Sequence, residues 1–444
     1  MNQQDNNNQA TLPRRSRRLA TIIPAEHWIS MGYSEDDAQL MEKLQNDIKK
    51  YCDNNGDIDI DLRGRNEFGL LPHHDLMIPH WQKLLKSLKG RTNVAFGLVD
   101  ISLPASLLET VFPALQLVNI VELTLFGCRM GSEGFTLLSS FLENNSNLES
   151  LGVGADDING YSIDQGMSVA STFSEAIKNH PTLEKVFIAA CIAYNTTNIL
   201  RTILEGTTTI KDLTISMHYF DSEDIAVFAD FISSNNPTEV LTLNQCNITD
   251  YDTLLLASSL KTNTNLKMLY LYDNEITQDG ETTLLNALYN PTSIDSIIKS
   301  NHTCYTRTHD STRNRNSIVE TNLEAEVLVV NDDRVTHCNV WEKIRRKVVL
   351  ALCRVDGEIF DLSLLNDIPP QLMPRVLELI QEHTTSRSLS LEMEMETIGD
   401  QLEIDALSRL FHTLRGWELP LLFVNLNTPS ANATGKRKRR KTRR

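Results

Sequence analysis

The sequence predicts an α/β solenoid of repeating strand–helix units, with a parallel sheet on the concave face and helices on the convex face. An apolar template, L-x-x-L-x-L-x-x-N/C-x-L, recurs six times between Ile120 and Ile276. Equivalent positions are 27 or 28 residues apart, except for one step of 35. Apolar residues at helical spacing follow the frames and end at Asn-rich breaks. Because one unit cannot bury both of its apolar faces, the units are expected to stack.

Each frame supplies one strand and one tight turn. The first frame consists of Ile120, Leu123, Leu125, Cys128 and Met130. The step of 35 separates Leu151 from Val186 and indicates a loop insertion at 159–166. A seventh, degenerate frame is predicted one period after the sixth, at Ile294, Ile297, Lys299 and His302.

The N/C position of the template accounts for three of the seven cysteines. Cys128, Cys191 and Cys246 share this position with Asn274. A side chain there points inward and can bond backbone groups of the turn. Since the chain has no C-x-x-C pair, reduced structural thiols are expected rather than a zinc or redox site.

The frames resemble the ribonuclease-inhibitor type of leucine-rich repeat, a family that includes RanGAP, over roughly Val94 to Cys304. Segments 66–74, 79–81, 372–377 and 414–417 resemble parts of an expanded set of diatom leucine-rich-repeat proteins. The resemblance implies the solenoid fold and does not specify an activity.

Six segments follow from these patterns. Helices are predicted on both sides of the repeats. Amphipathic spacing predicts one before them, at Glu35–Tyr51, and helical patterns predict three after them, at Trp341–Leu352, Pro370–Glu382 and Leu402–Leu414. The predicted segments are a disordered basic arm (1–20), an N-terminal helical segment (21–57), the solenoid with irregular first repeats (58–304), a loop (305–316), a helical C-terminal domain or cap (317–425) and a disordered basic tail (426–444).

Charge is distributed unevenly along the chain. The net formal charge is −16, but 12 of the 42 basic side chains lie in 14–18 and 436–444. The remaining 30 basic and 58 acidic groups give the body a charge near −28. Such a body repels phosphates, so nucleic acid is expected only at the tails.

No membrane span is expected, because there is no run of 18 apolar residues. Met1–Ala10 has no apolar core that could serve as a secretory signal.

The outward-facing positions of the strands are the candidate protein-binding surface, because strand side chains alternate between faces. Large aromatic side chains on a rigid surface are typical of binding hot spots. The alternative is that they pack against one another or against a flanking segment. The candidates are Glu122, Thr124, Phe126, Lys185, Phe187, Asp212, Thr214, Asn244, Met268, Tyr270 and Tyr272.

The C-terminal basic run indicates nuclear import through an importin-like receptor, which places the protein in the nucleus or otherwise the cytoplasm. Nonspecific nucleic-acid binding, anionic-membrane contact and a solubilising tail are the alternatives. The residues are Lys436, Arg437, Lys438, Arg439, Arg440 and Lys441.

Catalytic signatures are missing from the sequence. It has no Gly-rich phosphate loop, no G-x-S-x-G and no H-E-x-x-H. His73, His74 and His80 with Asp75 are interpreted as loop and capping residues rather than metal ligands. The prediction is therefore a non-catalytic scaffold or adaptor without cofactor or metal. The alternatives are a RanGAP-like GTPase activator and a chromatin-associated protein held by its tails.

Overall fold

A computed structural model describes residues 21–53, 59–64, 70–155, 163–189, 196–206, 209–308, 330–331 and 339–352. The chain forms two units, Met1–His218 and Tyr219–Arg444. Parallel strands alternate with helices in each unit, which confirms the predicted α/β repeat class. The two basic ends and the helices predicted at Pro370–Glu382 and Leu402–Leu414 lie outside the described residues.

The first unit alternates six described strands with helices. The strands pair in parallel and in sequence order. The elements are α1 (Ala25–Ser30), α2 (Glu35–Asp53), β1 (Asp59–Arg63), α3 (Ile78–Leu88), β2 (Val94–Val99), α4 (Ala105–Leu115), β3 (Ile120–Cys128), α5 (Gly131–Asn144), β4 (Ser150–Ala155), α6 (Ile163–Lys178), β5 (Lys185–Ala189), α7 (Thr196–Gly206) and β6 (Asp212–Ser216).

The strand register of the first unit follows the apolar template. Leu123 lies beside Leu151, Leu151 beside Val186, and Val186 beside Leu213. All four side chains are buried, as inward-facing strand positions require. The step of 35 therefore preserves the register. The predicted loop at 159–166 is wrong for its last four residues, which belong to α6.

The second unit continues the same alternation. Its described elements are α8 (Ser222–Ser233), β7 (Val240–Thr242), α9 (Asp250–Leu260), β8 (Met268–Tyr270), α10 (Gln278–Leu288), α11 (Ile294–Ile298), β9 (Tyr305–Arg307) and α12 (Val340–Leu352). The helix α8 begins at a capping box, in which the Asp221 carboxylate accepts the Asp224 N–H at 3.0 Å and Asp224 accepts the Asp221 N–H at 3.2 Å.

The seventh strand lies later than predicted. Ile294 and Ile297 belong to the short helix α11, and the strand β9 pairs with β8 through Leu269 and Thr306. Ser293 caps α11 by accepting the Ser296 N–H, which favours a helix where the template predicted a strand. The described strands of the second unit consequently extend to Arg307, and the predicted loop at 305–316 is wrong for its first three residues.

The template's N/C position has the structural role that the sequence predicts. The Asn274 amide donates to the carbonyls of Leu243 and Leu271, and its oxygen accepts the N–H groups of Cys246 and Ile248. The thiol of Cys246 donates to the Asn244 carbonyl at 3.2 Å. In the first unit the Cys128 thiol donates to the Leu98 carbonyl at 3.3 Å. Cys191 lies outside the described residues.

A second row of amides fixes the turns that lead into the strands. The Asn263 side-chain oxygen accepts the Leu266 N–H at 2.7 Å, and the Asn301 oxygen accepts the Cys304 N–H at the same distance. The Asn301 amide also donates to the Asn263 carbonyl. The turn at Asn301 is thereby bonded to the turn at Asn263 in the preceding repeat.

The helix α12 packs against α11 at the end of the described repeats. Its Lys347 is fully buried, and the ammonium group donates to the Leu288 and Asn301 carbonyls at 2.6 and 2.8 Å. The third contact of the ammonium is His302 Nδ1, at 3.2 Å. Three acceptors thus satisfy a buried cation.

Candidate protein-binding surface

The outward positions of β3 to β6 form the candidate surface of the first unit. The strand register places Glu122, Ser150, Lys185 and Asp212 in one row across the sheet. Glu122 and Lys185 are exposed, whereas Thr124, Phe126, Phe187, Asp212 and Thr214 are half-buried. These seven candidate residues therefore lie on one partly accessible face.

Two phenylalanines dominate this face. The rings of Phe126 and Phe187 meet edge to face, with 4.8 Å between their centroids, although β4 separates their strands. Gly152 and Gly154 occupy the outward positions of β4 under the Phe126 ring. A Cβ at Gly152 would lie 2.8 Å from Phe126 Cζ, and one at Gly154 would lie 3.0 Å from Phe126 Cδ1. Because neither glycine has a side chain, the Phe126 ring can lie over β4.

Charged groups lie beside the aromatic pair. Glu122 and Lys185 occupy the same row two strands apart, so their backbones are separated by about 10 Å. Asp212 is the neighbour of Lys185 on the next strand. Burial raises the pKa of the Asp212 carboxyl, and Lys185 acts in the opposite direction. The surface thus presents an aromatic centre with both signs of charge at its edge.

The second unit carries its own aromatic pair. Tyr270 and Tyr272 stack with 5.5 Å between their centroids, and the Tyr270 hydroxyl contacts Met268 Sδ at 3.0 Å. Both rings are half-buried. The Asn244 side-chain oxygen accepts the Tyr272 N–H at 2.8 Å, so this candidate residue also fixes the backbone. In both units the predicted aromatics pack against one another while remaining partly accessible.

Of the histidines predicted as loop or capping residues, His74 has a capping role, whereas His80 lies inside α3 and is buried. His74 Nδ1 accepts the Leu76 N–H at 3.1 Å at the start of a short 3₁₀ turn, Asp75–Met77. Burial lowers the pKa of both His73 and His80. Among the described residues no three His, Cys, Asp or Glu side chains come together as a metal site.

No helix within the described ranges is long and apolar enough to span a membrane.

Sequence reasoning missed the glycines that seat Phe126. The signal was present, because Gly152 and Gly154 occupy both outward positions of the frame Leu151-Gly-Val153-Gly. Strand alternation places both glycines on the outward face, but the sequence alone does not show that a ring from the neighbouring strand lies over them. The six basic residues of the predicted import signal, Lys436 to Lys441, lie outside the described residues.

No protein-family model and no curated protein matches the chain. A crystal structure of a Bacteroides fragilis protein, a Northeast Structural Genomics Consortium target, is similar over 58% of this chain and 68% of that one, with 15% identity and a TM-score of 0.36. The α/β repeat is therefore established by the strand register described above and not by this structural similarity.

Proposed function

We propose that this protein is a leucine-rich-repeat scaffold or adaptor of the ribonuclease-inhibitor type, without catalytic activity, whose strand face binds a protein partner. The observation that carries the proposal is the contact between Phe126 and Phe187, in which the Phe126 ring lies over Gly152 and Gly154 of the intervening strand. Rings that are already ordered lose little conformational entropy on binding and offer a large apolar contact area. Glu122 and Lys185 supply polar specificity at the rim.

Affinity capture from nuclease-treated lysate tests this proposal. The full chain is compared with Phe126→Ala/Phe187→Ala, with Tyr270→Ala/Tyr272→Ala, and with the control Tyr251→Ala, which removes an exposed aromatic from a helix. We expect a defined partner to be lost from the phenylalanine variant and kept by Tyr251→Ala, with unchanged circular dichroism. A partner set that survives the phenylalanine change excludes this face as the binding site.

The absence of catalysis is part of the proposal and has its own test. GTP hydrolysis by a panel of small GTPases should be unchanged by the added protein. Stimulated hydrolysis by any member would favour the GTPase-activator alternative. That activity would then be mapped with the same variants.

Nuclear residence is proposed on the basic run Lys436–Lys441 alone. A fluorescent fusion of the full chain should accumulate in the nucleus. Replacement of all six residues by alanine should disperse it. Accumulation that persists in the alanine variant would contradict import through this run.

A further inference from the structure

A groove runs between α3 and α4 on the helical layer of the first unit. Its volume is about 220 Å³. Three residues of α3 with the residue that follows this helix form one wall, and four residues of α4 and the turn that follows it form the other. The lining residues are Gln82, Leu85, Lys86, Lys89, Thr110, Ala114, Leu117 and Val118.

The floor and one wall of the groove are apolar. Leu85 and Val118 are buried beneath it, and Ala114 is half-buried. Leu117 is 74% exposed, although leucine gains by leaving water. The volume is below the roughly 300 Å³ at which small-molecule pockets begin. The groove therefore suits apolar side chains of a polypeptide better than a small molecule.

The other wall is basic in an otherwise acidic protein. Residues 76–99 contain no Asp or Glu but include Lys83, Lys86, Lys89 and Arg91. Lys86 and Lys89 are exposed at the rim, and within the described part of the chain neither forms an ion pair. Glu109, the acidic residue of α4, does not line the groove. A ligand with carboxylates facing α3 would be complementary in charge.

We propose that this groove binds an acidic amphipathic helix of a partner protein, at a site separate from the strand face. Apolar side chains of that helix would insert over Leu117 and Val118. Its carboxylates would face Lys86 and Lys89. This is helix-in-groove recognition, in which anchors at positions i, i+3 and i+4 lie on one stripe.

Peptide display on the full chain is the test, with a random library of about 16 residues, long enough for roughly four helical turns. We expect enriched peptides to combine Asp or Glu with Leu, Phe or Trp at helical spacing. Their affinity is then measured by fluorescence anisotropy. The double change Lys86→Glu/Lys89→Glu should weaken binding by about tenfold or more, because attraction becomes repulsion. Leu117→Ser should weaken binding independently of the charge change.

The control Lys50→Glu/Lys261→Glu alters net charge equally at exposed residues outside the groove and should leave affinity within about twofold. Since all the substituted side chains are exposed, the variants are expected to fold, which circular dichroism checks. Phe126→Ala/Phe187→Ala should retain the peptides, so this proposal can fail or hold independently of the strand-face proposal. A library without acidic enrichment, or peptides that bind the charge-reversed groove equally well, overturns it. Self-association that is abolished by Leu117→Ser would assign the groove to a second copy instead.

Discussion

The Phe126 ring contacts Phe187 across an intervening strand, with 4.8 Å between the ring centroids. Two strands would ordinarily keep such side chains about 10 Å apart. The contact is possible because the ring lies over Gly152 and Gly154 rather than standing perpendicular to the sheet. The geometry of the proposed binding surface therefore depends on two residues that have no side chain.

Gly152→Ala should displace the Phe126 ring, because the new Cβ would lie 2.8 Å from Cζ. We expect the free energy of unfolding to fall by about 1 kcal/mol, at the low end for an overpacked site, since the ring tip is partly exposed and can move. Urea denaturation measures the change. Gly97→Ala is the matched control, because its nearest contact would be 3.4 Å away. Equal free energies of unfolding for the two variants would contradict the close contact between Gly152 and the Phe126 ring.

Asn274→Ala should lower the free energy of unfolding by about 2 kcal/mol or more, because the turn N–H groups of Cys246 and Ile248 lose their acceptor. Asn274→Cys should cost less, since cysteine occupies the equivalent position at Cys128 and Cys246. Both variants are compared by denaturant titration. The structural role of the position would be refuted by an alanine variant as stable as the cysteine variant.

Cys128, Cys246 and Cys304 should resist alkylation in the native protein. Burial raises the pKa of the Cys128 thiol to about 12 and also raises that of Cys304, which suppresses the reactive thiolate. Cys52 is half-buried and should react before them, although burial also raises its pKa. Iodoacetamide labelling followed by peptide mass spectrometry gives the order. Native Cys128 that labels as fast as Cys52 would contradict the buried turn position.

The stability of the second unit should rise with pH between about 7 and 10.4. Burial and the neighbouring Lys343 lower the pKa of Lys347 to about 7, whereas an unfolded lysine titrates near 10.4. In this window the unfolded chain binds the extra proton, so the free energy of unfolding increases with pH. Below pH 7 both states are protonated and the Lys347 contribution is constant.

Lys347→Met isolates this contribution. Cys304 has a raised pKa and gives the opposite slope above about pH 8.5, but it is present in both proteins. Hydrogen exchange of α10 to α12 measures the difference, and the slope of the wild type should exceed that of the variant. Parallel pH profiles would show that Lys347 keeps its ordinary pKa in the folded protein.

The strand frames were predictable because buried leucines repeat with a fixed period. The seventh strand was misplaced because Ile294 and Ile297 imitate that period while forming a helix capped by Ser293. A better signal was available in the turns. Asn263 precedes Leu266 by three residues, and Asn301 precedes Cys304 by the same interval, which marks the true start of β9.

The surface was predictable only one strand at a time. Strand alternation identified Phe126 and Phe187 as outward-facing, but the contact between them depends on the residues of the strand between them.

The burial of Lys347 in α12 was likewise not predictable from the sequence. Helical spacing predicted Trp341–Leu352 as a helix, yet Trp341 is 76% exposed while Lys347 is fully buried. Burial of a lysine depends on the three acceptors supplied by other elements, which helical periodicity does not reveal.

Site-specific photocrosslinking tests the central claim most directly. A benzophenone amino acid is placed at position 187 on the strand face or at position 251 on α9, and the full chain is irradiated in lysate. We predict one defined protein crosslinked from position 187 and absent from position 251, with the crosslink lost when Phe126→Ala is added. Crosslinks of the same proteins from both positions, or none from position 187, would contradict a partner bound at the Phe126–Phe187 surface.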